Sequence, residues 1–195
     1  RGLGLVGPDG PVPDVPAPVP VRTDRLRSAA RGCEVTMVTM RPQPGLPVCL
    51  LLHGRYTDAR GMIDLGLPSF LAAYDGDGLP PFTVVALDGG DGYWVARTPA
   101  DDPQAMLRAE LPGWLAGLGL AAPSAVLGIS MGGFGALLYA RSTTVTAVLS
   151  PALFESWEDA EVAEFGHGAH TVGYWRRVLP DAPRFIGHRL DDRAR

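Results

Sequence analysis

The sequence predicts an α/β fold built on a mostly parallel sheet with helices on both faces. Three observations carry this. Short apolar runs recur at 48–52, 83–88, 124–129 and 145–150. Helix-capable stretches at 102–118 and 132–141 fall between them. One run passes straight into a helix-capable stretch through Gly128-Ile129-Ser130-Met131-Gly132. Continuous apolar runs suit strands covered on both faces, and strand–helix alternation is what a parallel sheet needs for its crossovers.

Taken in order, residues 1–24 read as an extended arm. Pro8, Pro11, Pro13, Pro16, Pro18 and Pro20 forbid helix there and favour an open, polyproline-like chain. Residues 25–195 read as one domain. Residues 33–40 alternate and are rich in β-branched side chains, as in a half-buried strand. Pro42, Pro44, Gly45 and Pro47 break the chain before the run at 48–52. The run at 83–88 ends in Asp88. Asp102 is a candidate N-cap with Pro103 at the first helical position, and Pro112 must kink or divide the helix that follows. A weaker run lies at 161–165, and no internal repeat is visible.

Composition narrows the function. A chain of 195 residues suits one domain with a sizeable core. The net charge of −4 is dispersed and no Lys/Arg stripe occurs, which argues against nucleic acid as a partner. The two cysteines, Cys33 and Cys49, have no metal-binding spacing. Cys49 sits inside an apolar run and reads as a buried, inert thiol, while a single Cys33–Cys49 bridge stays open. No apolar stretch approaches the ~20 residues of a membrane-spanning helix. The sequence starts at Arg1, so an export signal removed upstream would be invisible.

The chemistry-bearing signal is the Gly-x-Ser-x-Gly pattern around Ser130, placed between the apolar run Ala125-Val126-Leu127 and the stretch Phe134-Gly135-Ala136-Leu137-Leu138. In that setting it reads as a nucleophile elbow. The turn from strand to helix raises the serine hydroxyl above the sheet, and glycines two residues to either side remove clashing side chains. A second signal is Leu52-His53-Gly54-Arg55 at the end of an early strand, where α/β-hydrolases place one oxyanion donor. The backbone N–H groups of Arg55 and Met131 are the candidate donors, and preorganised donors of this kind each contribute ~10²–10³ in rate. His53 itself reads as a residue that orients the loop. The Arg55 side chain is open to two readings, a contact to an acidic substrate group or a solvated cation. Serine also needs a general base. In this fold the histidine comes last in the chain, which leaves His167 and His170 in Phe165-Gly166-His167-Gly168-Ala169-His170.

Over roughly residues 25–180 the chain resembles the bacterial putative-esterase group, which includes esterase D and the mycolyltransferase antigens of mycobacteria. The segments LPVCLLLHGR, VVALDGGDGYW, DDPQAML, LGISMGGFGALLYA and FGHGAHTVGYWRRVLP carry the resemblance. It implies an α/β-hydrolase fold and selects His170, in a Gly-x-His-x-x-x-x-Trp context with Trp175, as the base. It also implies that the loop 88–94 lies near the mouth of the site. Tyr93 and Trp94, read as exposed, are then candidate substrate contacts, with plain packing as the alternative. The sequence departs from the group between Ser130 and His170, where a strand–helix block carrying the acidic triad member is missing. Glu155, Glu158 or Asp159 could supply a relocated acid. Otherwise the site is a Ser–His dyad, or the chain is a deletion product of little activity.

The expected function is a serine esterase acting on a small-molecule or lipid ester through an acyl-enzyme on Ser130. The rivals are an acyltransferase to an alcohol or sugar, and a catalytically impaired remnant of the fold. No cofactor and no metal is expected. The arm after a lost start points to an exported or envelope-associated protein, with a cytoplasmic one as the alternative.

Overall fold

The computed structural model describes residues 10–145, 147–149 and 172–191. Six strands form one sheet in the order β1-β2-β4-β3-β5-β6. They are β1 (Val21–Ser28), β2 (Cys33–Met40), β3 (Val48–Leu52), β4 (Thr83–Leu87), β5 (Pro123–Gly128) and β6 (Ala147–Leu149). β1 and β2 make an antiparallel hairpin that joins β4 antiparallel, while β4, β3, β5 and β6 run parallel. The sheet is mostly parallel, as predicted; the antiparallel hairpin at its edge lay outside that expectation.

Every residue of β3 and β4 is buried, as continuous apolar runs on both-face-covered strands require. Alternate side chains feed two cores. Cys49, Leu51, Val84, Ala86 and Leu127 pack on one face against α1 (Gly61–Asp64), α2 (Leu67–Gly76), α6 (Val172–Val178) and α7 (Asp181–Asp191). Leu50, Leu52, Val85, Leu87 and Val126 pack on the other against α4 (Leu111–Gly117) and α5 (Met131–Ala140). The crossover from β3 to β4 therefore uses one face, and the crossover from β4 back over β3 to β5 uses the other. The direction of strand succession reverses at β3, so its carboxyl end opens a crevice between β4 and β5. Ligand sites of open α/β sheets lie at such a point.

The helix over 102–118 is capped as expected. The Asp102 side chain accepts from Ala105 N–H at 2.9 Å, with Pro103 at the first turn of α3 (Pro103–Ala105). Pro112 divides the stretch. It cannot donate to the ladder, and a π-helical turn at Met106–Glu110 takes up the mismatch before α4 begins. Glu110, at the end of that turn, accepts from Ala29 and Ala30 N–H at 2.9 Å each and from Ser28 Oγ at 2.6 Å. It fastens the β1–β2 hairpin to the helical layer.

The arm is shorter than its expected span of 1–24, because Val21–Asp24 are the first half of β1. Polar alternation hid this strand. Arg22, Asp24, Arg25 and Arg27 lie on a solvated sheet edge, where charge discourages pairing with another chain. The described part of the arm is also docked: Val19 is buried, Val19 N–H donates to Pro68 O at 3.1 Å, and Gly10 N–H donates to Gly173 O at 2.9 Å. Cys33 is exposed and Cys49 buried, both as free thiols, so the Cys33–Cys49 bridge is not formed. The run read at 145–150 is β6. Among the described residues no strand follows it, and the run at 161–165 lies outside them.

Candidate active site

Ser130 occupies the turn between β5 and α5 with φ 55° and ψ −120°, a backbone conformation that L-residues rarely adopt. Its neighbours explain how the turn can be so tight. A Cβ on Gly128 would lie 2.1 Å from Gly132 O, and one on Gly132 would lie 1.9 Å from Leu52 O. Only glycine admits this contact of β5, α5 and β3. Ile129 N–H donates to Leu52 O at 3.0 Å and Gly133 N–H to Ser130 O at 2.8 Å, which holds the elbow from both sides. The tight strand-to-helix turn expected at Ser130 is present.

The second loop, 53–60, leaves β3 beside Ser130. A Cβ on Gly54 would lie 3.4 Å from Ser130 Cβ and 3.9 Å from its Oγ. The loop thus passes in contact with the serine turn, and the tight approach that Gly54 relieves is to Ile129 O, 3.2 Å from where a Cβ would stand. Arg55 follows directly, and Met131 opens α5. As the first helical residue, Met131 presents an N–H with no acceptor within the helix. Arg55 is exposed, with its guanidinium stacked 4.6 Å from the centre of the Tyr56 ring.

His53 is buried under this loop. Its Nε2 accepts from Gly89 N–H at 3.0 Å, so Nδ1 carries the proton and donates it to Gly54 O at 2.7 Å. Burial pushes its pKa below the ordinary imidazole value, against smaller upward effects of the Gly54 carbonyl and of Asp88, Asp58 and Asp91. With both nitrogens engaged and the ring desolvated, His53 is a neutral brace that ties the two loops above the sheet.

Tyr93 and Trp94 both have left-handed backbone, φ 56° and 58°, but their side chains part. Trp94 is 0% exposed, which corrects the reading of an exposed substrate contact. Its Nε1 donates to His53 O at 3.2 Å, its ring stands 5.2 Å from the His53 ring, and Gly89 and Gly135 press on its faces so closely that a Cβ on either would lie 2.5 Å away. The alternative, packing, is what Trp94 does. Tyr93 is 49% exposed and meets Phe134, itself 39% exposed, edge-on at 6.4 Å between ring centres.

Three contributors, Asp88, Asp91 and Phe134, were given no role from the sequence. Asp88 accepts from Ala59 N–H at 2.9 Å and from Thr36 N–H at 3.0 Å, and Asp91 accepts from Tyr56 N–H at 2.8 Å. These carboxylates join the glycine-rich loop to the loop bearing Arg55. Their partners are distant in sequence, so no local pattern announces them. Phe134 had a usable signal, standing four residues after Ser130 on the first turn of the helix. His167 and His170, together with Glu155, Glu158 and Asp159, lie outside the described residues. His188 is exposed on α7. Among the described residues there is no group of His, Cys, Asp and Glu able to hold a metal ion. No described helix is long and apolar enough to cross a membrane.

A family profile described as "Putative esterase" matches residues 28–157. No curated relative matches the sequence. Solved structures similar to this one include the fluorophosphonate-binding serine hydrolase F of Staphylococcus aureus, 15% identical, with a TM-score of 0.57 over 87% of this chain and 77% of that one. A ferulic acid esterase of the anaerobic fungus Anaeromyces mucronatus is 14% identical, with a TM-score of 0.57 over 75% and 64%. MPT51 of Mycobacterium tuberculosis is 23% identical, with a TM-score of 0.50 over 62% and 45%. The chain therefore spans less than two thirds of the length of the last two. At these identities the likeness establishes the fold, the α/β-hydrolase fold.

Proposed function

Since the chain belongs to the putative-esterase family, we propose that it hydrolyses carboxylic esters through an acyl-enzyme on Ser130. The observation that carries this reading is the strained Ser130 turn, in contact with Gly54 and facing the start of α5. Such a turn costs on the order of 1–3 kcal/mol and persists where the surroundings enforce it.

In this reading Ser130 Oγ attacks the ester carbonyl carbon while His170 takes the hydroxyl proton. The carbonyl π electrons move to oxygen, and the resulting oxyanion receives hydrogen bonds from the Arg55 and Met131 N–H groups. Collapse breaks the bond to the leaving oxygen, and His170 returns the proton to the departing alcohol. Water then attacks the acyl-enzyme, losing a proton to His170; the bond between the acyl carbon and Ser130 Oγ breaks, His170 returns its proton to Oγ, and the carboxylic acid leaves. His53 is unsuited to this task because both of its nitrogens are held by the loops. Tyr93 and Phe134 offer an apolar surface beside the nucleophile for the acyl or alcohol part.

The test is a fluorophosphonate probe together with turnover of p-nitrophenyl acetate. Labelling confined to Ser130, and turnover lost in both Ser130→Ala and His170→Ala, supports the reading. A folded protein that leaves Ser130 unlabelled, or a Ser130→Ala variant as active as the wild type, overturns it.

A further inference from the structure

A trans peptide is planar, so its C=O and N–H point in opposite directions. Fixing the oxygen of such a unit fixes the direction of its hydrogen. The peptide between Gly54 and Arg55 is held in this way. No cis peptide occurs among the described residues. The Gly54 oxygen accepts from His53 Nδ1 at 2.7 Å. The imidazole itself is held, because Gly89 N–H donates to its Nε2 at 3.0 Å, its ring stands 5.2 Å from the Trp94 ring, and it is 1% exposed. The Arg55 N–H therefore points away from the buried ring.

The chain on both sides of this unit is held as well. Trp94 Nε1 donates to His53 O at 3.2 Å, and Tyr56 N–H donates to Asp91 Oδ1 at 2.8 Å. Both peptides of Arg55 are thus anchored, one through its oxygen and one through its hydrogen. The Arg55 N–H is left over: among the described residues it has no acceptor. Buried backbone donors are nearly always paired, whereas this one belongs to an exposed residue and is open. It also stands beside the serine. A Cβ on Gly54 would lie 3.9 Å from Ser130 Oγ, and the Arg55 nitrogen is only two bonds from the Gly54 Cα.

Resting on the reading proposed above, we infer that His53 and Asp91 are positioning residues for the oxyanion: His53, through the Gly54 carbonyl, and Asp91, through the Tyr56 N–H, clamp the two peptides of Arg55 so that its N–H stays aimed at the oxygen that gains charge. Neither side chain touches substrate. A donor held in advance needs no reorientation as charge develops, and losing one from such a site costs ~10²–10³ in rate. The hydrogen bond on the Gly54 oxygen also polarises the peptide and strengthens its N–H as a donor.

The experiment separates the two nitrogens of His53. In His53→Asn the side-chain amide stands where Nδ1 stood and can donate to Gly54 O. In His53→Gln the amide reaches the Nε2 position, where it can accept from Gly89 N–H but no longer serves Gly54 O. With p-nitrophenyl acetate, His53→Gln should lower kcat by ~10-fold or more with KM within about twofold. It should weaken inhibition by phenyl trifluoromethyl ketone by a similar factor, since the hemiketal oxygen formed on Ser130 needs the same donors. His53→Asn should recover most of both. Asp91→Ala, at an exposed position, should show the same kcat-selective loss in smaller measure, and Asp91→Asn, which keeps an acceptor for Tyr56 N–H, should restore it. This second pair serves should the buried variants fail to fold. Wild-type kcat in folded His53→Gln or Asp91→Ala overturns the inference. So does a loss that asparagine restores at neither position, which is what a merely structural role would give. Undiminished turnover in Ser130→Ala instead overturns the functional reading itself, and the clamp falls with it.

Discussion

His53 Nε2 accepts the backbone N–H of Gly89 at 3.0 Å, which leaves the imidazole neutral, buried and committed on both nitrogens. The pH dependence of stability follows from the sign of its shift. Burial lowers the folded pKa below the ordinary 6.5. As pH falls through about 6.5, the unfolded chain takes up a proton that the native ring resists, so native stability declines. Above that value this contribution is complete. Urea midpoints should therefore fall on acidification below pH ~6.5, and His53→Gln, which has no proton to gain, should remove this part of the slope. A variant with the same slope as wild type would show that His53 is not its source.

Gly132→Ala should be severely destabilising. The new Cβ would meet the Leu52 carbonyl at 1.9 Å, and neither backbone can yield without separating α5 from β3. Overpacking of this kind costs about 1–3 kcal/mol, and the elbow would shift with it. Urea denaturation should show the loss, and fluorophosphonate labelling of Ser130 should slow even in the folded fraction.

Tyr93 and Trp94 should separate cleanly under mutation. Trp94→Ala removes a fully buried ring wedged against Gly89 and Gly135 and should cost about 3–5 kcal/mol, read by urea or thermal melting. Tyr93→Ala should change stability by less than ~1 kcal/mol and instead raise KM for bulky esters. Equal losses of stability would contradict the burial difference between these neighbours.

The two thiols should differ in reactivity. Cys33 is exposed, while burial pushes Cys49 up to about 12. A thiol reagent at neutral pH should modify one cysteine in the native protein and the second only on unfolding. Mass mapping of the adduct to Cys33 checks the assignment.

Several parts of the molecule were legible in the amino-acid order because their cause is local. The runs at 48–52 and 83–88 are strands because nothing polar interrupts them. Asp102 and Pro103 start a helix by chemistry contained within one turn. Pro112 had to disturb that helix, and it does so through a π-helical turn. The elbow was readable because the glycines that permit it flank Ser130 directly. By contrast, β1 was hidden. An edge strand has a face and a margin in water, so Arg22, Asp24, Arg25 and Arg27 mask the alternation that marks a strand.

By itself the sequence determined the strand–helix alternation, the tight turn at Ser130 and the family, since each rests on spacing along the chain. Only the tertiary structure decided which of two adjacent aromatics is buried, what His53 does, and how Asp88 and Asp91 bind distant loops together. Trp94 and Tyr93 share a positive φ near 57°, yet their burial differs with what Gly89, Gly135 and Phe134 place around them. Burial, tautomer and cross-loop hydrogen bonds depend on neighbours brought together by folding, and no local pattern encodes them.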